Sequence, residues 1–145
     1  MRANFIVAIM SLAAMISVSA IAADLSPGLW EISLETRVAA SPGFTPAPFQ
    51  VSQCVTAEDA RDPSKMMGSL ANPGASGCTF IDKNYVGNTF RFTMQCAGTY
   101  ALKTRGEIAF TATTMNGTMV AVGMVEGKKT EFTNQITARR SGNCQ

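Results

Sequence analysis

Carboxylates are the side chains of this sequence that come nearest to a catalytic pattern. Glu31 and Glu35 lie four residues apart in a segment with strand-like alternation, so both are expected on one polar face, about 13 Å apart. That distance exceeds the separation of the two carboxyl groups in glycosidases. Glu107 and Glu131 fall on other predicted strands, again in polar surroundings. We therefore expect these carboxylates to be solvated, and a carboxylate-based hydrolase is the least favoured function.

Other catalytic and nucleic-acid-binding chemistry lacks its usual residues. The 145-residue chain contains no histidine, which removes the commonest general base and the usual partner of a nucleophilic serine or cysteine. The net charge is only +2, from 12 Lys and Arg against 10 Asp and Glu, and no glycine-rich turn leads from a strand into a helix. We predict a protein that is not an enzyme, has no cofactor and does not bind nucleic acid.

Sulfur ligands raise the question of a metal site. Thioethers suit Cu(I), but no methionine pair at close spacing accompanies a histidine, and methionine also fills hydrophobic cores well. The four cysteines show no C-x-x-C spacing. We therefore predict no metal site, and a core position for the methionines considered, which are Met66, Met67, Met115, Met119 and Met124.

The N-terminal segment has the features of a secretory signal peptide. Arg2 supplies the positive charge, an apolar run extends from residue 5 to residue 18, and small residues follow. We predict cleavage after Ala22, with the bonds after Ala20 and Ala23 as alternatives. The apolar run is short for a membrane span, and no second long apolar stretch follows.

Removal of this segment defines the mature protein and its compartment. Residues 1–22 are then the signal peptide, and residues 23–145 form a single domain, since the length leaves no room for a second one. We expect the mature protein to be periplasmic or secreted and to have no membrane span.

The compartment determines how the cysteines are interpreted. Four cysteines in an oxidising compartment indicate two disulfides, for which three pairings exist. Two predicted strands, 79–86 and 89–96, flank a turn at Gly87-Asn88, and a hairpin centred on Gly87 brings Cys78 directly opposite Cys96. The same register places Lys83 opposite Arg91, and this like-charge pair disfavours the register.

We predict the disulfides Cys78–Cys96 and Cys54–Cys144. Loop-entropy arguments give stabilisations of about 3 and 4–5 kcal/mol for closing these two loops.

Alternating hydrophobicity predicts a mainly β fold. Strands are predicted at 30–38, 49–55, 79–86, 89–96, 99–111, 118–125 and 129–140, with Asn116-Gly117 and Glu126-Gly127 as turns. Thr56 is positioned to cap a short helix from Ala57, and Pro63 ends that helix or begins a second one. The loops fall at 41–48 and 71–77. The expected fold is an antiparallel meander of about seven strands, a curled sheet or incomplete barrel with a short helical segment over one opening.

One predicted strand departs from alternation. Residues 119–125 are apolar on both faces, as in a strand buried on two sides. Either the helix or the curled sheet covers the second face, or that face lines a hydrophobic pocket. The residues proposed for an apolar ligand face are Trp30, Ile32, Leu34, Val120, Val122 and Met124.

Several short motifs occur in an order that resembles a known family. They are Pro27-Gly28-Leu29-Trp30-Glu31, Cys54-Val55-Thr56 followed by Glu58-Asp59, a central Cys96, Asn116-Gly117-Thr118-Met119, and Gly142-Asn143-Cys144. This arrangement resembles the domain-of-unknown-function family 3617, small exported proteins of Gram-negative bacteria. The resemblance implies a periplasmic, β-rich, disulfide-bonded domain, and implies no activity and no catalytic residues.

Two functions are favoured nearly equally by the sequence. The first is a non-enzymatic protein that binds a small hydrophobic molecule in the curled sheet. The second is a protein–protein interaction module of the cell envelope that uses an exposed strand edge or apolar patch. Gly28-Leu29-Trp30 also resembles the G-x-W of lipocalin barrels, but we expect Trp30 to plug the end of the sheet rather than to line such a barrel.

Overall fold

A computed structural model describes residues 25–70, 77–98 and 101–145, and these form one antiparallel sheet with two short helices. The predicted signal peptide and its cleavage site lie outside the described residues, as does most of the predicted loop at 71–77. The strands are β1 (Gly28–Val38), β2 (Phe49–Val55), β3 (Cys78–Val86), β4 (Thr89–Cys96), β5 (Lys103–Phe110), β6 (Thr114–Val125) and β7 (Lys128–Gly142). The helices are α1 (Ala57–Arg61) and α2 (Ser64–Leu70). The mainly β, seven-stranded fold class is confirmed.

The seven strands lie in the order β2-β1-β7-β6-β5-β4-β3, so the sheet has edges at β2 and β3. The sheet is not closed, and the chain segment containing α1 and α2 connects its two edge strands. Thr56 caps α1 as predicted, since its hydroxyl accepts a hydrogen bond from Asp59 N at 3.1 Å.

One face of the sheet, called here the inner face, is buried, and the opposite outer face is largely exposed. Strand residues alternate between the two faces, and the helices contribute Ala60, Met66 and Met67 to the core on the inner side. Fully or almost fully buried side chains fill this core, and the largest of them are Trp30, Phe90, Phe110, Ile32, Met66, Met67, Met94, Ile108, Met115 and Met119.

Asn116-Gly117 is not a turn, and this prediction was wrong. Strand β6 begins at Thr114, and Gly117 lies within it opposite Ile108 of β5. The preceding turn is formed by threonines: Thr111 N donates to Thr114 O, and Thr114 N donates to the Thr111 hydroxyl, each at 2.9 Å. Glycine occupies position 117 because a Cβ there would lie 2.3 Å from the Glu107 carbonyl oxygen on the neighbouring strand.

The β3–β4 hairpin forms as predicted, but its register changes along its length. Cys78 faces Cys96 and Phe80 faces Met94, whereas beyond a bulge at Ile81 the pairs shift by one residue. Arg91 therefore faces Asn84 rather than Lys83, and the predicted like-charge pair does not form.

Both predicted disulfides are present. Cys78–Cys96 closes the hairpin with its Cα atoms 3.9 Å apart, and Cys54–Cys144 ties β2 to the end of the chain that follows β7. Cys96 of the first disulfide belongs to a small buried cluster with Leu102 and Ala121, and the second disulfide is exposed.

Candidate functional site

The six residues predicted to form one apolar ligand face lie on two opposite faces of the sheet. Trp30, Ile32 and Leu34 point into the core and are at most 3% exposed. Val120 and Val122 alternate with the buried Met119 and Ala121, so they project from the outer face, as does the half-exposed Met124. The structure therefore does not bring the two sets together in a single pocket.

Trp30 and its neighbours on the inner face pack in the hydrophobic core. The Trp30 side chain is fully buried, and its indole Nε1 donates a hydrogen bond to the Ser26 carbonyl oxygen at 3.0 Å. Phe90, Phe92, Phe80 and Tyr85 pack against one another in the same core, with ring centroids 4.7–6.0 Å apart. Trp30 thus fills the sheet interior, and the lipocalin-type ligand barrel is not formed because the sheet does not close.

The outer valines form the floor of an open groove. We call it the valine groove and define it by its six lining residues, which are Thr93, Lys103, Arg105, Val120, Val122 and Glu131. Its volume is about 460 Å³. That volume falls in the range of small-molecule sites. Strand register places Val120 beside Arg105 and Val122 beside Lys103. The apolar floor therefore has a cationic rim along β5.

The two rim cations have no partner of opposite charge among residues 25–70, 77–98 and 101–145. Within the described ranges, no hydrogen bond or ion pair involves the side chain of Lys103 or Arg105. On β4, Arg105 faces Thr93 and Lys103 faces Gln95, so no carboxylate lies directly beside either cation on that side. Glu131 lies opposite Val122 on the far side of the groove, and it does not bond to Lys103.

A second hollow continues the groove across the outer face. It shares Thr93, Arg105 and Val120 with the valine groove and has a volume of about 400 Å³. Its Arg91 and Glu107 are paired with each other, since Arg91 Nε lies 2.8 Å from Glu107 Oε2, whereas Asp82, which also lines this hollow, forms no ion pair with a described residue. The two hollows together offer an extended surface that carries Lys103 and Arg105 on its β5 side.

The carboxylates considered for hydrolysis are exposed and do not converge. Glu31 pairs with Arg139, with Oε2 2.9 Å from Nη2, and Glu107 pairs with Arg91. Both pairs are at the surface, where such contacts contribute little to stability. Glu35 and Glu131 are also exposed. A polar groove of about 630 Å³ surrounds the Glu31–Arg139 pair and is otherwise lined mainly by hydroxyl and amide side chains, Ser33, Gln50, Ser52 and Thr137.

A separate polar cluster joins the helical segment to edge strand β3. The Asp62 carboxylate accepts hydrogen bonds from the Ser64 hydroxyl, from Ser64 N at 3.2 Å and from the Tyr85 hydroxyl at 3.2 Å. Burial opposes ionisation of Asp62, but the Ser64 hydrogen bond and the charge of Lys83 outweigh it and lower its pKa. Burial, together with the Asp62 charge, raises the pKa of Tyr85 to about 12, so this hydroxyl remains a donor. Asp62 therefore caps the start of α2 and connects the helical segment to β3 through Tyr85.

The sulfur atoms considered for copper are mostly in the core. Met66, Met67, Met115 and Met119 are at most 1% exposed, as predicted. The predicted core position is wrong for Met124, which is 50% exposed beside the valine groove, because it occupies an outward position of β6. In the part of the chain that the structure describes, no three His, Cys, Asp or Glu residues are grouped as metal ligands would be. Nor is any helix there long and apolar enough to cross a membrane.

Sequence reasoning did not single out Lys103 and Arg105, which flank the valines. The available signal was their alternation with Leu102 and Ile108 on a predicted strand, which placed them on a polar face. Only the register between β5 and β6 shows that this polar face adjoins the outward-facing valines. The sequence does not indicate the contact between Asp62 and Tyr85, because 23 residues separate them.

Three of the motifs behind the family resemblance, those at residues 27–31, 54–56 and 142–144, meet at one corner of the sheet. Gly28 pairs with Val55, and Leu29 pairs with both Cys54 and Gly142. The side chain of Arg140 donates to Pro27 O and to Asn143 Oδ1, each at 2.7 Å. These contacts join β1, β2 and β7, so the motif residues at this corner stabilise the fold.

Comparison with known proteins gives one assignment. No curated protein and no solved structure matches the chain. The family model described as "Protein of unknown function (DUF3617)" matches residues 25–144, which include all seven strands and both helices. The chain therefore belongs to the DUF3617 family of proteins of unknown function.

Proposed function

We propose that this protein is an exported, periplasmic, non-enzymatic protein that binds a small hydrophobic molecule in the valine groove. The observation that carries the proposal is the exposure of Val120, Val122 and Met124 in a row on a central strand of the sheet. Outward positions of a solvated strand are usually polar, and an apolar row in a concave site is typical of ligand contact. The two disulfides support the periplasmic location.

The position of the row argues against a purely structural role. Strand β6 lies between β5 and β7, so it is not an edge strand that must be protected from pairing with another chain. The helical residues that are buried pack in the core on the inner side. Transfer of apolar surface out of water favours a ligand that covers Val120 and Val122.

Titration calorimetry with 1-decanol tests this function. We expect the wild-type protein to bind this neutral alkyl chain and Val122→Asp to lose at least tenfold in affinity. Thr137→Asp is the matched control, because it adds the same charge at an exposed position on the outer face, away from the groove. Absence of binding by the wild type, or equal binding by Val122→Asp, would contradict the proposal. Circular dichroism of both variants confirms that they fold.

A second candidate function is a protein–protein interaction module of the cell envelope. The observation that favours it is edge strand β2, whose seven residues Phe49–Val55 include no charge and whose first residue is 44% exposed. Charged residues and bulges usually guard an edge against pairing with another chain. Edge strand β3 has both features, with the Ile81 bulge and Lys83. Photocrosslinking in cells from position 50 tests this alternative, which requires a reproducible partner that is absent when the probe is at exposed position 116.

A further inference from the structure

We infer that the ligand of the valine groove is a single-chain amphiphile with an anionic head, such as a long-chain carboxylate, held at the β5 rim by Lys103 and Arg105. This inference rests on the proposed function and adds the chemical class and the orientation of the ligand. It starts from Lys103 and Arg105, which have no ion-pair partner in the described part of the chain and lie directly beside the apolar floor.

The charges around the groove are arranged unevenly. Lys103 and Arg105 lie two residues apart on β5, so their side chains project from the same face of that strand. The nearest carboxylate on β5, Glu107, is already bonded to Arg91. Across the floor on β7, Glu131 faces Val122, and Lys129, two residues away, faces Met124. An anionic group is therefore favoured beside Lys103 and Arg105 and repelled beside Glu131.

The apolar surface fits one alkyl chain. Val120 and Val122 project between the two charged sides, and Met124 extends the row toward the end of β6. The adjoining hollow is reached past Val120 and Arg105. A chain that lies along this surface covers the valines while its carboxylate remains within reach of Lys103 and Arg105. Such a ligand satisfies both the apolar and the charged parts of the site.

The test compares three ligands with equal chains below their micelle concentrations: decanoate, 1-decanol and decyltrimethylammonium. We expect decanoate to bind about three- to tenfold more tightly than 1-decanol, because exposed ion pairs each contribute modestly, and decyltrimethylammonium to bind most weakly. Raising the ionic strength to about 0.5 M is expected to remove most of the decanoate preference. Equal affinities for decanoate and 1-decanol would overturn the inference and leave the proposed function standing.

Substitutions locate the head group. In Lys103→Gln/Arg105→Gln, decanoate is expected to lose its preference over 1-decanol, so that this variant binds the two ligands with equal affinity. Arg37→Gln/Arg61→Gln is the control, because it removes the same net charge from two exposed residues on β1 and α1. An equal loss of decanoate binding in this control would contradict a local site.

The same experiment distinguishes other outcomes. If none of the three ligands binds, both the proposed function and this inference fail. If the protein sediments with phosphatidylglycerol vesicles but does not bind monomeric decanoate, the groove contacts a membrane surface, and the single-chain inference is overturned.

Discussion

Cys78 faces Cys96 across the β3–β4 hairpin, although the turn of the hairpin alone would place Cys78 opposite Ala97. Val86 pairs with Thr89 around the turn, and that register continues only as far as Asp82. One additional residue, Ile81, then bulges out and is 60% exposed. The bulge moves the register by one residue, so both cysteines reach the same position and the same face.

Deletions in β3 test the relationship between the bulge and the disulfide. Deletion of Ile81 removes the extra residue and leaves a regular hairpin in which Cys78 still faces Cys96, so the disulfide is expected to form. Deletion of Thr79 instead moves Cys78 opposite Gln95 and onto the other face. Mass spectrometry after thiol alkylation is expected to show no free thiols in the first variant and two in the second. The reverse pattern would contradict this account of the register.

Gly28 is expected to tolerate no side chain. Its φ is 144°, and a Cβ would lie 2.3 Å from Gly142 O and 2.6 Å from Arg140 Nε. Gly28→Ala is therefore expected to lower the free energy of unfolding by about 2–4 kcal/mol, from backbone strain and displacement of neighbouring backbone. Gly142→Ala is the matched control, because no atom of a described residue other than its chain neighbours lies within 4 Å of the added Cβ. Urea unfolding of both variants makes the comparison, and similar losses would refute the close-approach explanation.

The Cys54–Cys144 disulfide is expected to stabilise mainly by constraining the unfolded chain. Both cysteines are exposed, so their replacement removes little packing, while the loop they close spans 90 residues. The Cys54→Ala/Cys144→Ala protein is expected to lose about 4–5 kcal/mol of unfolding free energy. Guanidinium unfolding with an unchanged far-UV spectrum checks this, and a loss below about 1 kcal/mol would show that the disulfide does not act through loop closure.

The contribution of Asp62 to the free energy of unfolding is expected to be lost at acidic pH. Its pKa is lower in the folded protein than in the unfolded chain, so its contribution is present above the unfolded value and is lost as pH falls through the folded value. Asp62→Ala is expected to lower the unfolding free energy by about 1 kcal/mol at pH 7 and to have a smaller effect below about pH 3. The control is Asp82→Asn, an exposed carboxylate to which no described residue donates a hydrogen bond. A loss that does not change with pH would contradict the electrostatic explanation.

The contribution of Tyr85 to the free energy of unfolding is expected to be lost at alkaline pH. Its pKa is raised to about 12 in the folded protein, so the stability gained from its neutral form is present below about pH 10 and is lost as pH rises through 12. Tyr85→Phe is expected to remove this alkaline decrease, as measured by thermal unfolding between pH 8 and 12. An equally steep decrease in the variant would assign it to other groups.

The faces of individual strands were predictable, whereas the relationship between strands was only partly so. Period-two alternation correctly placed Trp30, Ile32 and Leu34 on one face, because each strand alternates independently of its neighbours. Alternation within β6 does not say which of its faces joins that core. Met119 and Ala121 occupy the inner positions, and Val120 and Val122 were therefore assigned to the wrong partners.

Turns and bulges limited the prediction in a different way. Asn116-Gly117 matches a common hairpin turn, but its glycine serves a close approach to β5, and threonines make the actual turn. The hydrophobic pattern of edge strand β3 does not indicate the bulge at Ile81. The Cys78–Cys96 pairing was nevertheless correct, because the assumed register and the bulged register coincide at that end of the hairpin.

Amide chemical-shift mapping during a titration with decanoate tests the central claim most directly. The account predicts shifts for residues 103–105, 118–124 and 131, and no change in the indole N–H signal of Trp30, which is buried and bonded to Ser26. Shifts confined to the outer face would place the ligand in the valine groove. A large shift of the Trp30 indole signal together with inner-face amides, or no shifts at all, would contradict the claim.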